Sequence, residues 1–331
     1  MKILRAALAG CAVVLAVPGS ASGAVSTGGT PAPIRYVAVS DCAKDPRNAA
    51  WCGSWWYRTT GGERHPLPGV GRWEGAVAVS GDGRRLAYVR AKDARLVIRD
   101  LGGGTRVSKA RAWPSGIELD GTRVTMSYDG SLVAVSCCWA GNTMSPARVY
   151  DAGTGALLGK VPDVAVRDDV VSFSGDGDQI LARSYDEQPG RLRVHDLDGR
   201  RTAEVVPPRL VGENGATAAL DAAGRTVAVY ATGRRPAIAL YDLETREVTA
   251  TIPVPASGQK VGRDPVEKRL MEVDTDVRLD WTGGSTLRMI RKLGFKRTRV
   301  QVYAIDTGTG TVRQERGYAV DGTVHEAVSG L

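Results

Sequence analysis

A repeated unit of short strands and tight turns is the feature that most constrains how this chain can fold. Its plainest copy, residues 76–107, has the sequence AVAVSGDGRRLAYVRAKDARLVIRDLGGGTRV. An alternating run leads to an Asp-Gly turn, a second run, a charged break and a third run that ends on Asp. Alternation with period two predicts strands, and glycine allows the tight reversals between them. The unit therefore predicts consecutive antiparallel strands rather than βαβ folding.

The spacing of the first turn in each unit predicts a β-propeller. Asp-Gly pairs begin at positions 82, 129 and 176, and an Ala-Gly pair at 223 follows at the same step of about 47 residues. A Gly-Gly pair at 283 comes after a longer step. Periods in the forties with four short strands each are typical of propeller blades.

The two ends of the chain predict how the ring closes. The first unit, from residue 34, has sequence for three strands, whereas the tail TVHEAVSG at 323–330 resembles EGAVAVSG at 74–81, a first strand. We expect the tail to supply the missing strand of the first blade, which leaves no open edge in the ring. The prediction is an all-β, six-bladed propeller, since a seventh blade would need about forty more residues.

Motifs within the units resemble a known family. A Ser-x-Asp-Gly turn precedes an apolar strand, and a later strand ends in Tyr-Asp before a Thr-Gly or Asp-Gly turn. These motifs resemble the repeats of WD-repeat and TolB-like propellers over residues 34–331. No Gly-His or Trp-Asp dipeptide marks the blades, so the resemblance implies the fold rather than an activity.

The N-terminus predicts export. Residues 1–24 resemble a secretory signal peptide, with Lys2 and Arg5 before an apolar run and small residues at 22–24. Residues 25–33 are expected to form a flexible leader, and residues 34–331 the propeller. A lipoprotein signal that uses Cys11 is the alternative, although Cys11 lies inside the apolar run. We expect a secreted or extracytoplasmic protein without a transmembrane segment after signal removal.

Cysteines in an exported chain indicate disulfides rather than zinc ligands. Cys42 and Cys52 bracket one hairpin loop and are expected to be bridged. For the adjacent Cys137 and Cys138 a vicinal disulfide, two buried thiols and a link to the first blade's loop all remain open. No histidine lies at metal-ligand spacing, so neither a metal nor another cofactor is predicted.

The longer step between the last two units predicts an inserted helix. Asp264 has the features of an N-cap, followed by Pro265 and, three residues after the cap, Glu267. Val266, Leu270 and Val273 would then share one helical face. A functional lid and a loop without a helix are the alternatives.

Motifs for catalysis are missing from the sequence, and we predict that the protein is not an enzyme. It has no nucleophile elbow, no His-Glu-x-x-His, no phosphate-binding loop and no dinucleotide-binding fingerprint. The run Asp196–Gly199 hints at calcium but lacks the further spaced oxygens, so a plain turn is expected. His65, His195 and His325 each have an ordinary structural explanation.

The loops on one face are the predicted binding surface. When the strands of a blade are named a to d, the b–c and d–a connections of a propeller emerge on the same side. We expect that side to carry the cysteine loops, the basic run 291–297 and the candidate binding residues Trp51, Trp73, Trp113, Trp139, Arg234, Arg235, Arg291 and Lys292. Rigid scaffolds commonly present binding residues on such loops.

The leading functional hypothesis is an exported, non-enzymatic scaffold that binds a protein or a cell-envelope component through this face. A small-ligand binder, hydrolase or lyase at the mouth of the central tunnel is the alternative, and a purely structural envelope subunit is a third possibility. The net charge of +8 would fall to +6 with the loss of Lys2 and Arg5, which is a mild bias suited to solubility or to weak attraction for anionic surfaces. An exported chain without a basic groove interleaved with aromatics is not expected to bind nucleic acid. A monomer is expected.

Overall fold

The computed structural model describes residues 31–39, 54–70, 77–112, 122–136, 146–161, 168–184, 190–214, 217–232, 235–256, 262–263, 270–271, 275–293, 297–321 and 323–327. These all belong to a unit of residues 31–331, which is separate from residues 1–30. The signal-peptide and leader predictions therefore lie almost entirely outside the described residues.

Short antiparallel strands make up nearly all of the described secondary structure. One helix, α1 (Arg209–Asn214), lies among them. In chain order the strands are β1 (Ile34–Val39), β2 (Trp55–Thr59), β3 (Arg64–Pro66), β4 (Val77–Val79), β5 (Arg85–Val89), β6 (Arg95–Asp100), β7 (Gly104–Arg111), β8 (Arg123–Met126), β9 (Leu132–Ser136), β10 (Ala147–Asp151), β11 (Leu157–Val161), β12 (Asp168–Phe173), β13 (Gln179–Ser184), β14 (Leu192–Asp196), β15 (Arg201–Val205), β16 (Ala218–Leu220), β17 (Thr226–Ala231), β18 (Ala237–Asp242), β19 (Glu247–Pro253), β20 (Gly262–Arg263), β21 (Leu270–Met271), β22 (Thr275–Gly283), β23 (Thr286–Leu293), β24 (Arg297–Asp306), β25 (Thr311–Asp321) and β26 (Thr323–Ala327).

Six four-stranded sheets form the blades of a propeller, as the repeat predicts. Blade 1 has the strand order β26-β1-β2-β3, and blades 2 to 6 are β4–β7, β8–β11, β12–β15, β16–β19 and β22–β25. The C-terminal strand β26 pairs with β1 from Thr323↔Val39 to Tyr36↔Ala327. Ring closure by the tail is therefore confirmed, and the strand-a position of blade 1 is filled from the other end of the chain.

The hydrophobic core is divided among the six seams between neighbouring blades. Strand β9 shows the principle: Val133 and Val135 pack with blade 2 residues, whereas Leu132 and Ala134 pack with blade 4 residues. Because both faces of this middle strand are covered, all five of its residues, LVAVS, are buried. Each seam of the core is thus shared by two neighbouring blades.

In blades 2 to 5, the turn between strands a and b lies against the preceding blade. In blade 2, Ser80 Oγ donates to Asp82 Oδ1 at 2.6 Å, and Gly83 follows with a φ of 71°. The Gly83 carbonyl accepts a 2.7 Å hydrogen bond from the Ile34 amide of blade 1. In blade 3, a Cβ on Gly130 would lie 2.8 Å from Ser80 Cβ of blade 2. The Asp-Gly pairs recur because each turn must approach the preceding blade closely.

Aromatic and arginine side chains close the seam between blades 6 and 1. The Tyr36 ring contacts Trp56 edge-on at 5.6 Å between centroids and stacks with Tyr318 at 6.1 Å. Arg35 and Arg64 lie over the Tyr318 and Trp56 rings, each at 4.1 Å. Burial raises the pKa of the Tyr318 hydroxyl, which donates to the Arg35 carbonyl at 3.1 Å. This seam joins the two ends of the propeller.

The predicted helix in the insertion is wrong at Leu270. Strand β21 pairs with β20 through Arg263↔Leu270 and Gly262↔Met271, so Leu270 has extended backbone. Val266 and Val273 lie outside the described residues. The ladder pairs backbone groups of Leu270 and Met271 with those of Arg263 and Gly262 instead of with a helical turn.

Candidate functional site on the loop face

The two faces of the propeller carry connections of very different length. We call the side with the b–c and d–a connections the loop face and the side with the a–b and c–d turns the turn face. On the turn face every described connection is a short turn, such as 80–84 between β4 and β5. On the loop face, residues 40–54 and 137–146 connect consecutive strands, and residues 254–274, which include β20 and β21, connect blade 5 to blade 6. Sequence variation between blades is therefore concentrated on the loop face.

Most of the predicted site residues lie outside the part of the chain that the structure describes. These are Cys42, Trp51, Cys52, Trp73, Trp113, Cys137, Cys138, Trp139 and Arg234. Arg235 is described and is exposed in the b–c connection of blade 5, just before β18. The described tryptophans, Trp55, Trp56 and Trp281, are buried in the seams.

Of the basic run at 291–297, Arg291 and Lys292 lie in β23 and Arg297 begins β24, whereas residues 294–296 lie outside the described residues. The predicted loop placement is therefore wrong for Arg291 and Lys292. Arg291 and Lys292 extend β23, where Lys292 pairs with Val300 of β24. Arg291 is fully buried, and Lys292 is half-buried. The β23–β24 hairpin of blade 6 is longer than the corresponding hairpins of the other blades. Arg291 and Lys292 therefore belong to the sheet.

The Arg291 guanidinium forms hydrogen bonds within the chain and is not a surface cation. Its Nε and Nη2 donate to Gln301 Oε1 at 3.0 and 2.7 Å, and its Nη1 donates to the Pro255 carbonyl at 2.6 Å. Nη2 also donates to the Tyr303 hydroxyl at 3.0 Å. Pro255 lies two residues after the last strand of blade 5, so Arg291 holds the start of the insertion against blade 6.

Period-two alternation contained a signal for the burial of Arg291. Leu287 and Met289 of the same strand are buried in the seam between blades 5 and 6, and Arg291 is the next residue on that face. Counting alternate residues along β23 would have predicted that Arg291 is buried, whereas its position in a basic run predicted that it is exposed to solvent.

Side chains from blade 6 cross the propeller axis near the turn face. Arg288 donates through Nη1 to the hydroxyl of Tyr128, which belongs to blade 3 on the opposite side of the ring. Arg278 Nη1 reaches the Val79 carbonyl of blade 2 at 3.4 Å, and its Nε contacts Asp280 Oδ2 at 2.9 Å. These contacts link blade 6 directly to blades 2 and 3, which are not its neighbours in the ring.

His65, His195 and the turn at Asp196 are explained by packing and by hydrogen bonds within the fold. His195 is buried on strand c of blade 4, and the His65 ring stacks on Tyr57 at 4.8 Å. Asp196 forms a c–d turn in which its Oδ1 accepts the Arg200 amide at 2.8 Å. Burial would raise the pKa of Asp196, but the hydrogen bonds from Arg200 outweigh it and lower the pKa. Within the described ranges, no three His, Cys, Asp or Glu side chains form a group that could hold a metal.

Comparison with known proteins gives similarity in fold. No protein-family model matches the chain, and no curated protein matches it. TolB from Acinetobacter baumannii is 15% identical with a TM-score of 0.49 over 90% of this chain and 66% of that one, so the chain spans just under two thirds of its length. A putative TolB from Agrobacterium tumefaciens is 15% identical with a TM-score of 0.47, over 88% of this chain and 92% of that one. The Cps50 (Swd1) β-propeller domain of Myceliophteria thermophila is 15% identical with a TM-score of 0.42, over 75% and 72%.

In fold, the chain resembles TolB and WD-repeat propellers. The strand order and the blade seams described above establish the propeller independently of these similarities. Within the described part of the chain, no helix is long and apolar enough to span a bilayer.

Proposed function

We propose that the protein is an extracytoplasmic, non-enzymatic interaction scaffold that binds a protein or a cell-envelope component through its loop face. The contrast between the two faces carries this proposal. The turn face has short, closely similar turns and an axis crossed by Arg278 and Arg288, whereas the loop face has the long connections. Rigid scaffolds with variable loops on one face commonly bind partners there.

The residues proposed for the contact are Trp51, Trp73, Trp113, Trp139, Arg234 and Arg235, with Lys292 at the margin. Tryptophan and arginine are the residue types most often found at energetic hot spots of interfaces. Arg291 is removed from the set, because its guanidinium is buried and bound within the chain. A Cys42–Cys52 disulfide would restrain one of the longest loops, which is the reason to retain that pairing in the proposal.

Export is part of the proposal. Residues 1–24 would act as the signal peptide and residues 25–33 as a leader, with lipidation at Cys11 as the alternative. Mass spectrometry of the mature N-terminus tests this directly. A protein that begins near residue 25 supports soluble export, a lipid-modified Cys11 supports anchoring, and retention of Met1 in the cytoplasm refutes both.

The test of the binding surface is partner capture from an envelope extract by the immobilised protein. Replacement of Trp51, Trp113 and Trp139 by alanine should abolish capture of a partner that the wild-type chain retains. Arg84→Ala is the matched control, because Arg84 is exposed on the turn face of blade 2. Equal capture by the tryptophan variant and the wild type would refute the assignment.

Small-ligand binding at the axis is the second candidate function. In this candidate a small molecule would enter from the loop face, because Arg278 and Arg288 form contacts between blades at the turn face. Ligand-induced stabilisation that depends on residues near the axis, and that survives the tryptophan replacements, would favour this candidate over the scaffold.

A further inference from the structure

A continuous cluster of aromatic and arginine side chains lies at the outer part of the seam between blades 6 and 1. The Tyr36 ring contacts the rings of both Trp56 and Tyr318. Arg64 lies over the Trp56 ring and Arg35 over the Tyr318 ring, each with its Cζ 4.1 Å from the ring centroid. Because every step is a direct contact, these five side chains form one surface that joins the outer strands β3 and β25.

The strand register of blade 1 adds a third arginine to this surface. Arg58 pairs with Tyr36 across β1 and β2, and with Arg64 across β2 and β3. Directly opposed residues of neighbouring strands lie on the same face of a sheet. Arg58 therefore lies on the face that blade 1 turns toward blade 6, and it is exposed.

The register of blade 6 adds a fourth arginine. Arg316 pairs with Val302 and Tyr318 with Val300, and both valines pack in the seam between blades 6 and 1. Arg316 is therefore on the same face of β25 as Tyr318, and it is also exposed. We call the surface formed by the four arginines the arginine rim; its members are Arg35, Arg58, Arg64 and Arg316.

Acids next to these arginines in the chain have partners of their own among the described residues. Glu63 contacts His65 at 3.3 Å, and the His65 ring stacks on the side of blade 1 that faces blade 2. Glu315 contacts Arg288 and Arg313, each at 3.3 Å, so one carboxylate is shared by two further arginines. Basic side chains thus outnumber acidic ones on the described part of this face, which attracts anions.

Stacking orients the guanidinium groups of the rim for anion binding. A guanidinium that lies on the face of a ring keeps N–H donors at its edge, and its orientation is restricted before a ligand arrives. The rings beneath are not accessible to a ligand, because Tyr36 is 3% exposed and Trp56 is 7% exposed. The rim therefore offers directed N–H donors and little apolar surface.

We propose that the arginine rim binds a flexible polymer whose repeating charge is a phosphate group. A guanidinium matches phosphate oxygens through two parallel N–H···O hydrogen bonds. A polymer can also engage several arginines at once, which raises the overall affinity without a deep pocket. The rim is a second interaction surface, and it does not depend on the loop face.

Other anionic partners fit the observations less well. An acidic protein segment would need an apolar centre for its interface, and the rings that could supply one are buried. A nucleic acid gains affinity by stacking its bases on accessible aromatic rings. A phospholipid surface is normally bound with apolar side chains that enter the membrane interface, whereas the exposed members of the rim, Arg58, Arg64 and Arg316, are charged.

The test is isothermal titration calorimetry with long-chain inorganic polyphosphate at several concentrations of NaCl. Arg58→Gln combined with Arg316→Gln should weaken binding about tenfold or more. The slope of log K against log[NaCl] should become shallower by about 1–2. Arg84→Gln combined with Lys109→Gln is the matched control, because both residues are exposed on blade 2 and the change in net charge is the same. The control should keep the wild-type affinity and slope.

A conservative pair of variants tests the guanidinium geometry. Arg58→Lys combined with Arg316→Lys keeps the charge but removes the planar fork, so it should bind polyphosphate several-fold more weakly than the wild-type chain. Wild-type affinity of the lysine pair, or equal weakening by the glutamine pair and its control, overturns the proposal. So does tighter binding of polyglutamate, of an oligothymidylate or of phosphatidylglycerol vesicles than of polyphosphate.

Discussion

Replacement of Gly83 by alanine tests the account of how blades are locked together. Gly83 has a φ of 71°, and a Cβ added there would lie 2.4 Å from the Ile34 carbonyl oxygen and 3.1 Å from the Ile34 nitrogen. These are backbone atoms of a buried strand in blade 1, and they cannot rotate away as a side chain could. The Ile34 amide also donates to the Gly83 carbonyl at 2.7 Å.

The cost of the substitution can be estimated from two independent contributions. Alanine in the left-handed region costs about 1 kcal/mol, partly offset because alanine restricts the unfolded chain. Forcing the blade 1 strand away from the new methyl group costs about 1–3 kcal/mol, as for other overpacked sites. We therefore expect Gly83→Ala to lower the free energy of unfolding by about 2–4 kcal/mol.

Gly62→Ala is the matched control, because it isolates the backbone contribution. Gly62 has a φ of 89°, yet a Cβ there would meet no atom within 4 Å. The expected loss is about 1 kcal/mol or less. Urea unfolding measures both variants as shifts of the midpoint at constant slope, and hydrogen exchange of the Ile34 amide reports the seam directly. Equal destabilisation by the two substitutions, with unchanged Ile34 protection, would refute the interlocking of the turns.

Three further predictions concern the seams and the turns. Tyr318→Phe removes the hydroxyl that donates to the Arg35 carbonyl and should lower the free energy of unfolding by about 1 kcal/mol in urea titration; an unchanged midpoint would show that this bond contributes nothing. Arg291→Met leaves four acceptors without their donor and should cost about 3 kcal/mol, and wild-type stability would contradict its role as a tie. Burial would raise the pKa of Asp129, but hydrogen bonds from Ser127 and Ser131 outweigh it and lower the pKa, so the ionised form is favoured in the folded state. The destabilisation caused by Asp129→Asn should therefore be present at neutral pH and shrink as the pH falls below about 4, whereas a difference that is constant with pH would contradict this sign.

The architecture was predictable because the physical constraint repeats. Every blade must bury both faces of its middle strands, and the a–b turns of blades 2 to 5 lie against the preceding blade, so the same residue types return at a constant spacing in these blades. The tail could be matched to a first strand for the same reason, and its pairing from Thr323 to Ala327 confirms the match. The pairing of β20 with β21 in the insertion was not predictable. The sequence Asp264, Pro265 and Glu267 favours a helix locally, whereas Arg263 and Leu270 pair as strands.

The placement of single charged side chains was less predictable. Arg291 belongs to a run of basic residues, and such runs are usually solvated, yet the alternation of β23 places it in the seam. Arg278 and Arg288 could not have been assigned to the axis from sequence, because their partners Val79 and Tyr128 belong to blades 2 and 3, far away in the chain. Period-two counting identifies which face a residue occupies, but not which distant group it meets.

The arrangement of arginines across blade 6 explains why the two ends of the axis are not equivalent. Blade 6 has the longest strands, and its neighbour, blade 1, contains the strand that is supplied by the chain terminus. Blade 1 has its strand a from the tail, and Arg278 of blade 6 reaches past that position to Val79 of blade 2. These arginine contacts therefore lie at the turn face, beside the seam between blades 6 and 1. The long connections that depart from the repeat lie on the loop face, where we propose the binding site.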